Sequence, residues 1–346
     1  FRRVLFRSTI HGGYKWTWES LPFRSIQMSF LRVENLSKSY QLRKAFGGRT
    51  KEQVHAVDNV SFEVQKGETL GIVGESGCGK STLGRTIVRL EEPTSGRIFF
   101  DEEELTSKSQ SQLRVVRKKI QMIFQDPYAS LNPRRPIGKI VEEPMRVHGI
   151  GGEERRETAL SLLAKVGLDR DAYEKYPHQF SGGQRQRVVI ARALSLNPSL
   201  VVADEPVSAL DVSIQAQVLN LFKDLQQELG LTYLFIAHDL GVVRHVSDRI
   251  AVMYLGKIVE MADAQSLYLQ PAHPYTKALL SANPRMDSAD TQERIVLKGD
   301  IPNPINRPTG CSFHPRCPLA QEKCRSEEPQ LLQISSGAQV ACHFAS

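Results

Sequence analysis

The sequence lacks any long apolar run. No stretch of its 346 residues approaches the eighteen or more consecutive apolar residues that a membrane-spanning helix needs. The apolar and charged fractions, 40% and 24%, are ordinary for a globular chain, and the length suffices for a large domain plus an appendage. We therefore expect that any work at a membrane depends on a partner that spans it.

Acidic residues are almost missing from residues 1–27, which carry five basic side chains and one glutamate. This segment supplies +4 of the formal net charge of +7, so the small remainder does not indicate a nucleic-acid-binding protein. The segment also lacks the apolar region of a signal peptide, and Met28 opens the first strand-like stretch. We expect a non-native or disordered leader over 1–27; a basic tail for anionic lipid or RNA is the alternative.

Cysteine is scarce in most of the chain, and Cys78 is the only cysteine before residue 311. The other four lie in the last 36 positions with the spacing C-x5-C-x6-C-x17-C, at Cys311, Cys317, Cys324 and Cys342. The C-x2–4-C pairs that zinc sites usually show are absent. The spacing alone leaves a metal centre, disulfides and free thiols open.

The order of periodic segments predicts an α/β core that is interrupted by a helical insert. Short β-type runs with turn signals occupy residues 29–100, and about 130–195 has helical periodicity without clear strands. "SLVVADEP" and "TYLFIAHD" then have the continuous apolar character of buried parallel strands, and "RIAVMYLGKIVEMA" predicts a hairpin with a Gly-Lys turn. We expect one main domain over 28–270 and a Pro-rich, cysteine-bearing extension over 271–346.

The stretch "GESGCGKST" contains G-x-x-x-x-G-K-S and lies between a predicted strand and a predicted helix. Its glycines let the backbone turn tightly and aim N–H groups at phosphate oxygens. Lys80 would reach the β- and γ-phosphates, the Ser81 hydroxyl would bind Mg²⁺, and Cys78 would serve as a small residue whose backbone contacts phosphate. The predicted nucleotide-binding residues are Gly74, Glu75, Ser76, Gly77, Cys78, Gly79, Lys80, Ser81 and Thr82.

Polar residues follow three further predicted strands. Asp204 could bind Mg²⁺, and the adjacent Glu205 could orient or deprotonate a water. His238 follows "LFIA" and could hydrogen-bond a γ-phosphate, whereas Gln125 follows "MIF" and could contact Mg²⁺ or water. Together with the phosphate loop, these side chains predict a hydrolytic site.

A second anion-binding turn is predicted at "FSGGQRQR", where Ser181, Gly182, Gly183 and Gln184 open a helix. One chain has no obvious need for two phosphate cradles. A dimer does need them, if the second cradle of each chain caps the nucleotide held by the other.

These motifs, in this order, resemble those of ABC transporter ATPases. The resemblance implies an α/β P-loop NTPase fold: a RecA-like core with an antiparallel β subdomain, an inserted helical subdomain and the cysteine-bearing extension. It also implies roles for particular residues: Tyr40 for adenine stacking, Gln125 as the Q-loop glutamine, Ser181 to Gln184 as the signature, Asp204 and Glu205 as the Walker B carboxylates, Asp211 as the end of the D-loop and His238 as the switch histidine.

The resemblance narrows at "FQDPYASLNPRRPIGKIVEEP", at "HPYTKALLSANPR" and in the cysteine tail, which are similar to the dipeptide/oligopeptide importer ATPases, in particular their "F" paralogue. It implies ATP hydrolysis with Mg²⁺ at the cytoplasmic face of the inner membrane. The implied partners are a paralogous ATPase, two transmembrane permease subunits and an extracytoplasmic peptide-binding protein, with no nucleic acid. It favours a [4Fe–4S] cluster on the four cysteines, with zinc or free thiols as alternatives.

Other functions remain open at this point. A related importer could carry nickel or another small solute, and a soluble ABC ATPase could act on DNA or ribosomes. A regulatory protein whose cluster senses redox state is a further alternative.

Overall fold

The computed structural model describes residues 4–10, 13–19, 29–41, 52–282 and 295–345. Its strands are β1 (Val4–Ile10), β2 (Gly13–Glu19), β3 (Leu31–Gln41), β4 (Gln53–Val64), β5 (Thr69–Val73), β6 (Ser95–Phe100), β7 (Glu103–Glu104), β8 (Ile120–Ile123), β9 (Leu200–Asp204), β10 (Thr232–Ala237), β11 (Arg249–Tyr254), β12 (Lys257–Asp263), β13 (Leu332–Gln333) and β14 (Gln339–Val340). Its α-helices are α1 (Lys80–Ile87), α2 (Gln110–Val116), α3 (Pro127–Ser130), α4 (Ile137–Val147), α5 (Gly152–Lys165), α6 (Gly182–Leu194), α7 (Val212–Leu229), α8 (Leu240–Val246), α9 (Ala264–Leu269), α10 (Pro274–Ala282) and α11 (Glu322–Ser326).

Two larger sheets organise the described residues. An eight-stranded sheet has the order β13-β14-β12-β11-β5-β10-β9-β8, and a four-stranded sheet has the order β4-β3-β6-β7. The strands from β11 to β8 run parallel, whereas β12, β14 and β13 pair antiparallel at one edge. The smaller sheet is antiparallel throughout. This is an α/β core beside an antiparallel β subdomain.

The central strands are apolar on both faces because helices cover both faces of the sheet. On one face, Phe222 of α7 packs edge-on against Tyr233 and Phe235 of β10. On the other face, α1 lies so close that a Cβ on Gly84 would come within 2.7 Å of the Ile236 side chain. Successive residues of β10 therefore enter two different hydrophobic clusters, as the two-residue period of a strand requires.

The region predicted to be helical contains α3 to α6 and no strand, and all of it lies in the described part of the chain. Its core includes the fully buried ring of Tyr173. Gly138 in α4 touches that ring, since a Cβ there would lie only 2.2 Å from it. Glycine at this position lets helix and ring approach closely.

The predicted hairpin is present, but its turn is displaced by one residue. β11 and β12 pair antiparallel around Leu255 and Gly256, both with positive φ, and Lys257 already begins β12. The prediction of a Gly-Lys turn was therefore wrong, because Leu255 and Gly256 both take the left-handed conformation and together form the turn.

The C-terminal extension contains α10, and its described residues 295–345 have little regular structure. It joins the main sheet through β14, which pairs with β12. Its Phe313 and Val340 enter the same hydrophobic cluster as the parallel strands. The extension thus uses the core of the cassette to bury its few apolar side chains.

Within the segment 1–27, the structure describes an antiparallel pair formed by β1 and β2. The remainder of that segment lies outside the described residues, and the leader assignment stays a prediction. In the part of the chain that the structure describes, no helix combines the length and apolar character needed to cross a bilayer.

Candidate functional site

The phosphate loop connects β5 to α1, and α1 begins at Lys80. Gly77 and Gly79 have φ of 80° and 105°, which favour glycine. A Cβ at Gly79 would also lie 2.0 Å from the Ala56 carbonyl oxygen. Backbone conformation and close packing therefore both require glycine at the residue that opens the helix.

Lys80 is buried inside this loop. Its ammonium donates to the carbonyl oxygens of Gly74 and Glu75 at 2.7 and 3.1 Å. Cys78 lies nearby and is also buried, and desolvation raises the pKa of its thiol. A neutral, buried thiol suits a small packing residue better than a reactive one.

A cavity of about 280 Å³ opens over the loop. Residues 76–82 line it, together with Gln125 and Glu205, whereas the predicted Gly74 and Glu75 are not among its lining residues. Sequence reasoning missed the rest of the wall, for which no motif gave a signal: Val54, His55, Ala56, Leu255, Gly256 and Pro304.

Asp204 ends β9 beneath the cavity and is fully buried. Its Oδ1 accepts the Ser81 hydroxyl at 2.7 Å. Its buried Oδ2 has no hydrogen-bond partner among the described residues, and Arg85 Nη2 lies 4.0 Å from it. Desolvation raises the pKa of this carboxyl, although Ser81 and Arg85 oppose the shift. A buried acceptor of this kind fits a cation, and Ser81 and Asp204 offer the oxygen ligands that Mg²⁺ prefers.

Three predicted side chains meet at one oxygen. The Gln125 amide donates to Glu205 Oε2 at 3.0 Å, and His238 Nδ1 lies 3.2 Å from the same atom. Glu205 has a φ of 46°, an unfavourable value for a residue with a side chain. Its N–H donates to the Ile236 carbonyl at 2.9 Å, which holds the strained backbone in place.

The predicted signature forms the N-terminus of α6. The Ser181 hydroxyl accepts the Gln184 N–H, and the Gln184 side chain accepts the Ser181 N–H, as in a capping box. Gly183 packs against Ile214 of α7, whose N-cap is Asp211. None of the signature residues lines the cavity over the phosphate loop of the same chain.

Tyr40 lies in β3, opposite Val54, and Val54 lines the cavity. The ring of Tyr40 is 37% exposed and its hydroxyl donates to Glu91. Desolvation and this hydrogen bond raise the pKa of the phenol. Its role in stacking on adenine stays a prediction.

The four C-terminal cysteines line one cavity of about 50 Å³. The Cys311 N–H donates to the Cys324 carbonyl at 2.8 Å, and burial raises the pKa of the Cys311 thiol to about 11. All are free thiols. Among the described residues, however, no group of three or more His, Cys, Asp or Glu side chains is arranged to hold a metal ion. The structure gathers the predicted ligands, and their metal binding stays a prediction.

Comparison with known proteins matches the ABC transporter family to residues 57–208 and the C-terminal region of oligopeptide/dipeptide transporters to residues 259–324. The oligopeptide transport ATP-binding protein AppF of Bacillus subtilis is 54% identical over 92% of this chain and 98% of its own. This chain belongs to the ABC transporter family. The predicted family and its ATPase cassette fold are therefore confirmed.

Other relatives agree with this assignment. The dipeptide transport ATP-binding protein DppF of Escherichia coli is 50% identical over 92% of this chain and 95% of that protein. A solved dimer of the ATP-binding cassette MJ0796, bound to ADP and Pi, has a TM-score of 0.60 and 33% identity. That comparison covers 68% of this chain and 98% of the solved one.

Proposed function

We propose that this chain binds and hydrolyses ATP to power an ABC importer of dipeptides or oligopeptides. The observation that carries the proposal is the meeting of Gln125, Glu205 and His238 beside the cavity of the phosphate loop. The relatives AppF and DppF, which are named for oligopeptide and dipeptide transport, support the choice of peptides over nickel or another small solute.

The chemistry follows from the polar groups around the cavity. Residues 76–82 receive the phosphates, and Ser81, Asp204 and Gln125 would hold Mg²⁺, which neutralises charge on the phosphate oxygens. Glu205 accepts a proton from the attacking water, because its carboxylate reaches the cavity. Gln125 and His238 hold Glu205 Oε2 and so orient that carboxylate.

The signature at α6 acts on a second subunit in this proposal. It does not line the cavity of its own chain, and an N-terminal turn with Ser181 and Gly183 suits a γ-phosphate from a partner. We infer a paralogous ATPase as that partner, beneath two permease subunits that an extracytoplasmic peptide-binding protein supplies. The complex would place this chain at the cytoplasmic face of the inner membrane.

The decisive experiment changes Glu205→Gln in the full chain, assembled with its partner subunits. The variant should bind MgATP with wild-type affinity, while hydrolysis and peptide uptake fall about a hundredfold or more, since the water loses its base. A Lys80→Ala variant should lose ATP binding itself. Substantial hydrolysis by Glu205→Gln would contradict the assigned role, and ATPase stimulation by nickel-importer partners but not peptide-importer partners would contradict the cargo.

We also propose that the C-terminal cysteines hold a [4Fe–4S] cluster. All four line one cavity, and thiolates are the usual ligands of such a cluster. The sequence has none of the C-x2–4-C pairs that zinc sites usually show, which favours the cluster over zinc. Iron, zinc and acid-labile sulfide should be measured on anaerobically purified chain, with a visible spectrum. About four irons and four sulfides per chain are expected; one zinc without sulfide, or no metal, would contradict the cluster.

A further inference from the structure

Two side chains of the C-terminal extension hold Glu75 of the phosphate loop. The Arg316 guanidinium makes a two-pronged ion pair with its carboxylate, at 2.7 Å from Nη1 to Oε2 and 3.2 Å from Nη2 to Oε1. The Tyr275 hydroxyl accepts the Glu75 N–H at 2.9 Å. One loop residue is thus fixed at both its side chain and its backbone.

These contacts are largely shielded from water. The Arg316 side chain is 8% exposed and that of Glu75 is 27% exposed, while Tyr275 is fully buried. A planar guanidinium that makes two parallel hydrogen bonds to a carboxylate is among the stronger and more directional ionic contacts. The pair therefore fixes the position of the Glu75 carboxylate and also balances its charge.

The elements that carry Arg316 and Tyr275 are packed against each other. Arg316 ends a short 3-10 helix, His314–Arg316, that follows Phe313. The Phe313 ring lies 5.4 Å from that of Tyr275 and 5.2 Å from that of Tyr254. The ring cluster gives the arginine and the tyrosine a common, rigid base.

Glu75 itself does not line the nucleotide cavity, and its N–H faces the extension. Its carbonyl oxygen, however, accepts the Lys80 ammonium at 3.1 Å. The position of Glu75 thus helps to set the position of the one buried cation in the phosphate loop. A short chain of contacts runs from the extension to the group that would meet the phosphates.

We propose that Arg316 and Tyr275 are positioning residues for nucleotide binding, which they support by fixing Glu75 and, through its carbonyl, Lys80. This inference rests on the proposed function, because it takes the loop to bind ATP. It makes the C-terminal extension a working part of the nucleotide site. Its consequence is that ATP affinity depends on a segment outside the motifs of the cassette.

The test measures the dissociation constant of a fluorescent ATP analogue with Mg²⁺ for the purified full chain. Arg316→Gln should weaken binding about tenfold, equivalent to ~1.4 kcal/mol. Arg316→Lys should recover part of that loss, since lysine keeps the charge but not the fork. Arg325→Gln is the matched control, because that arginine lies on the same extension with an exposed side chain, and it should bind as the wild type does.

Two further variants separate positioning from general destabilisation. Tyr275→Phe keeps the ring but removes the acceptor of the Glu75 N–H, so a loss of a few-fold in affinity is expected. Glu75→Gln and Arg316→Gln should each weaken binding, and the double variant should be little worse than either, since both break one contact. When Arg316→Gln or Tyr275→Phe is assembled into the ATPase, KM for ATP should rise while kcat stays near its wild-type value.

The outcomes distinguish a failure of this inference from a failure of the proposed function. If Arg316→Gln and Tyr275→Phe bind the analogue as tightly as the wild type, while Lys80→Ala does not bind, the inference is overturned and the proposed function stands. Additive effects of Glu75→Gln and Arg316→Gln would also overturn it. If the wild-type chain fails to bind the analogue, both are overturned. Should Arg316→Gln fail to fold, Tyr275→Phe alone decides in the same way.

Discussion

The phosphate edge of the main sheet and the C-terminal extension both gather chemically reactive side chains, but by different means. At the phosphate edge, parallel strands end side by side: Asp204 ends β9, Glu205 follows it, and His238 follows β10. In the extension, the four cysteines lie among turns, one short 3-10 helix and one five-residue helix. Regular backbone pairing places the first set, and side-chain packing places the second.

The two regions therefore depend on different contacts to stay in place. A strand end is positioned by the hydrogen bonds of its neighbours, so the phosphate edge depends on the integrity of the whole sheet. The extension is positioned by a few anchors, namely β14 on β12, the buried ring of Phe313 and the ion pairs made by Arg307 and Arg316. Damage to one anchor should therefore affect the extension more than the cassette.

The largest expected effect comes from Phe313→Ala. The ring is 1% exposed and packs against two tyrosines, so its removal should cost about 3–5 kcal/mol in the free energy of unfolding of the extension. Hydrogen exchange should show lost protection over residues 311–342, while amides in β9 and β10 stay protected. The exposed ring of Phe344 supplies the control, and Phe344→Ala should leave exchange unchanged.

A uniform loss of protection across the main sheet in Phe313→Ala would contradict the separate anchoring of the extension. It would mean that the extension and the cassette unfold as one cooperative unit, with the extension contributing to the stability of the strands.

A second effect, on binding, comes from Gly79→Ala. The added Cβ would meet the Ala56 carbonyl at 2.0 Å, and φ is 105°, so the loop must shift. We expect MgATP affinity to fall about a hundredfold, or ~2.7 kcal/mol, with the cysteine cavity unaffected. Gly67→Ala is the control: its φ is 80°, but nothing lies within 4 Å of the new Cβ. Gly67→Ala should lose a little stability but no MgATP affinity. If both variants lost MgATP affinity equally, backbone strain and not the contact with Ala56 would explain the loss.

The smallest effect concerns Asp58 of β4, which pairs with Arg307 of the extension. Burial alone would raise the pKa of Asp58, but Lys257 and Arg307 lower it below its usual range. A carboxyl whose pKa is depressed by folding stabilises the folded state above its unfolded pKa, and that contribution is lost as the pH falls through the folded pKa. The melting temperatures of the wild type and Asp58→Asn should therefore differ by less at pH 3 than at pH 7.

The measurement is the melting temperature of the wild type and Asp58→Asn between pH 3 and pH 7. A difference that grows as the pH falls would contradict the assigned sign. The exposed pair of Lys119 and Asp101 offers a control, since Asp101→Asn removes only a surface ion pair and should change little at any pH.

Much of the phosphate edge could be predicted because its motifs are local. The glycines, Lys80 and Ser81 lie within eight residues of each other. The apolar run of a buried strand predicts that the carboxylate after it lies at the sheet edge. The contacts of Glu75 with the extension could not be predicted, because its partners Arg316 and Tyr275 are 241 and 200 positions away in sequence. Pro304 at the cavity has the same explanation, since no local pattern links a Pro-rich segment to a glycine loop.

Local patterns in the sequence predicted the family, the α/β cassette, the phosphate loop and the strand ends, because glycine spacing and apolar runs act through neighbouring residues. The tertiary structure alone decided which residues meet: that Gln125 and His238 share one oxygen of Glu205, that the cysteines surround a single cavity, and that the extension holds the phosphate loop. Such contacts join residues far apart in the chain, and only the packing of the whole core brings them within hydrogen-bonding distance.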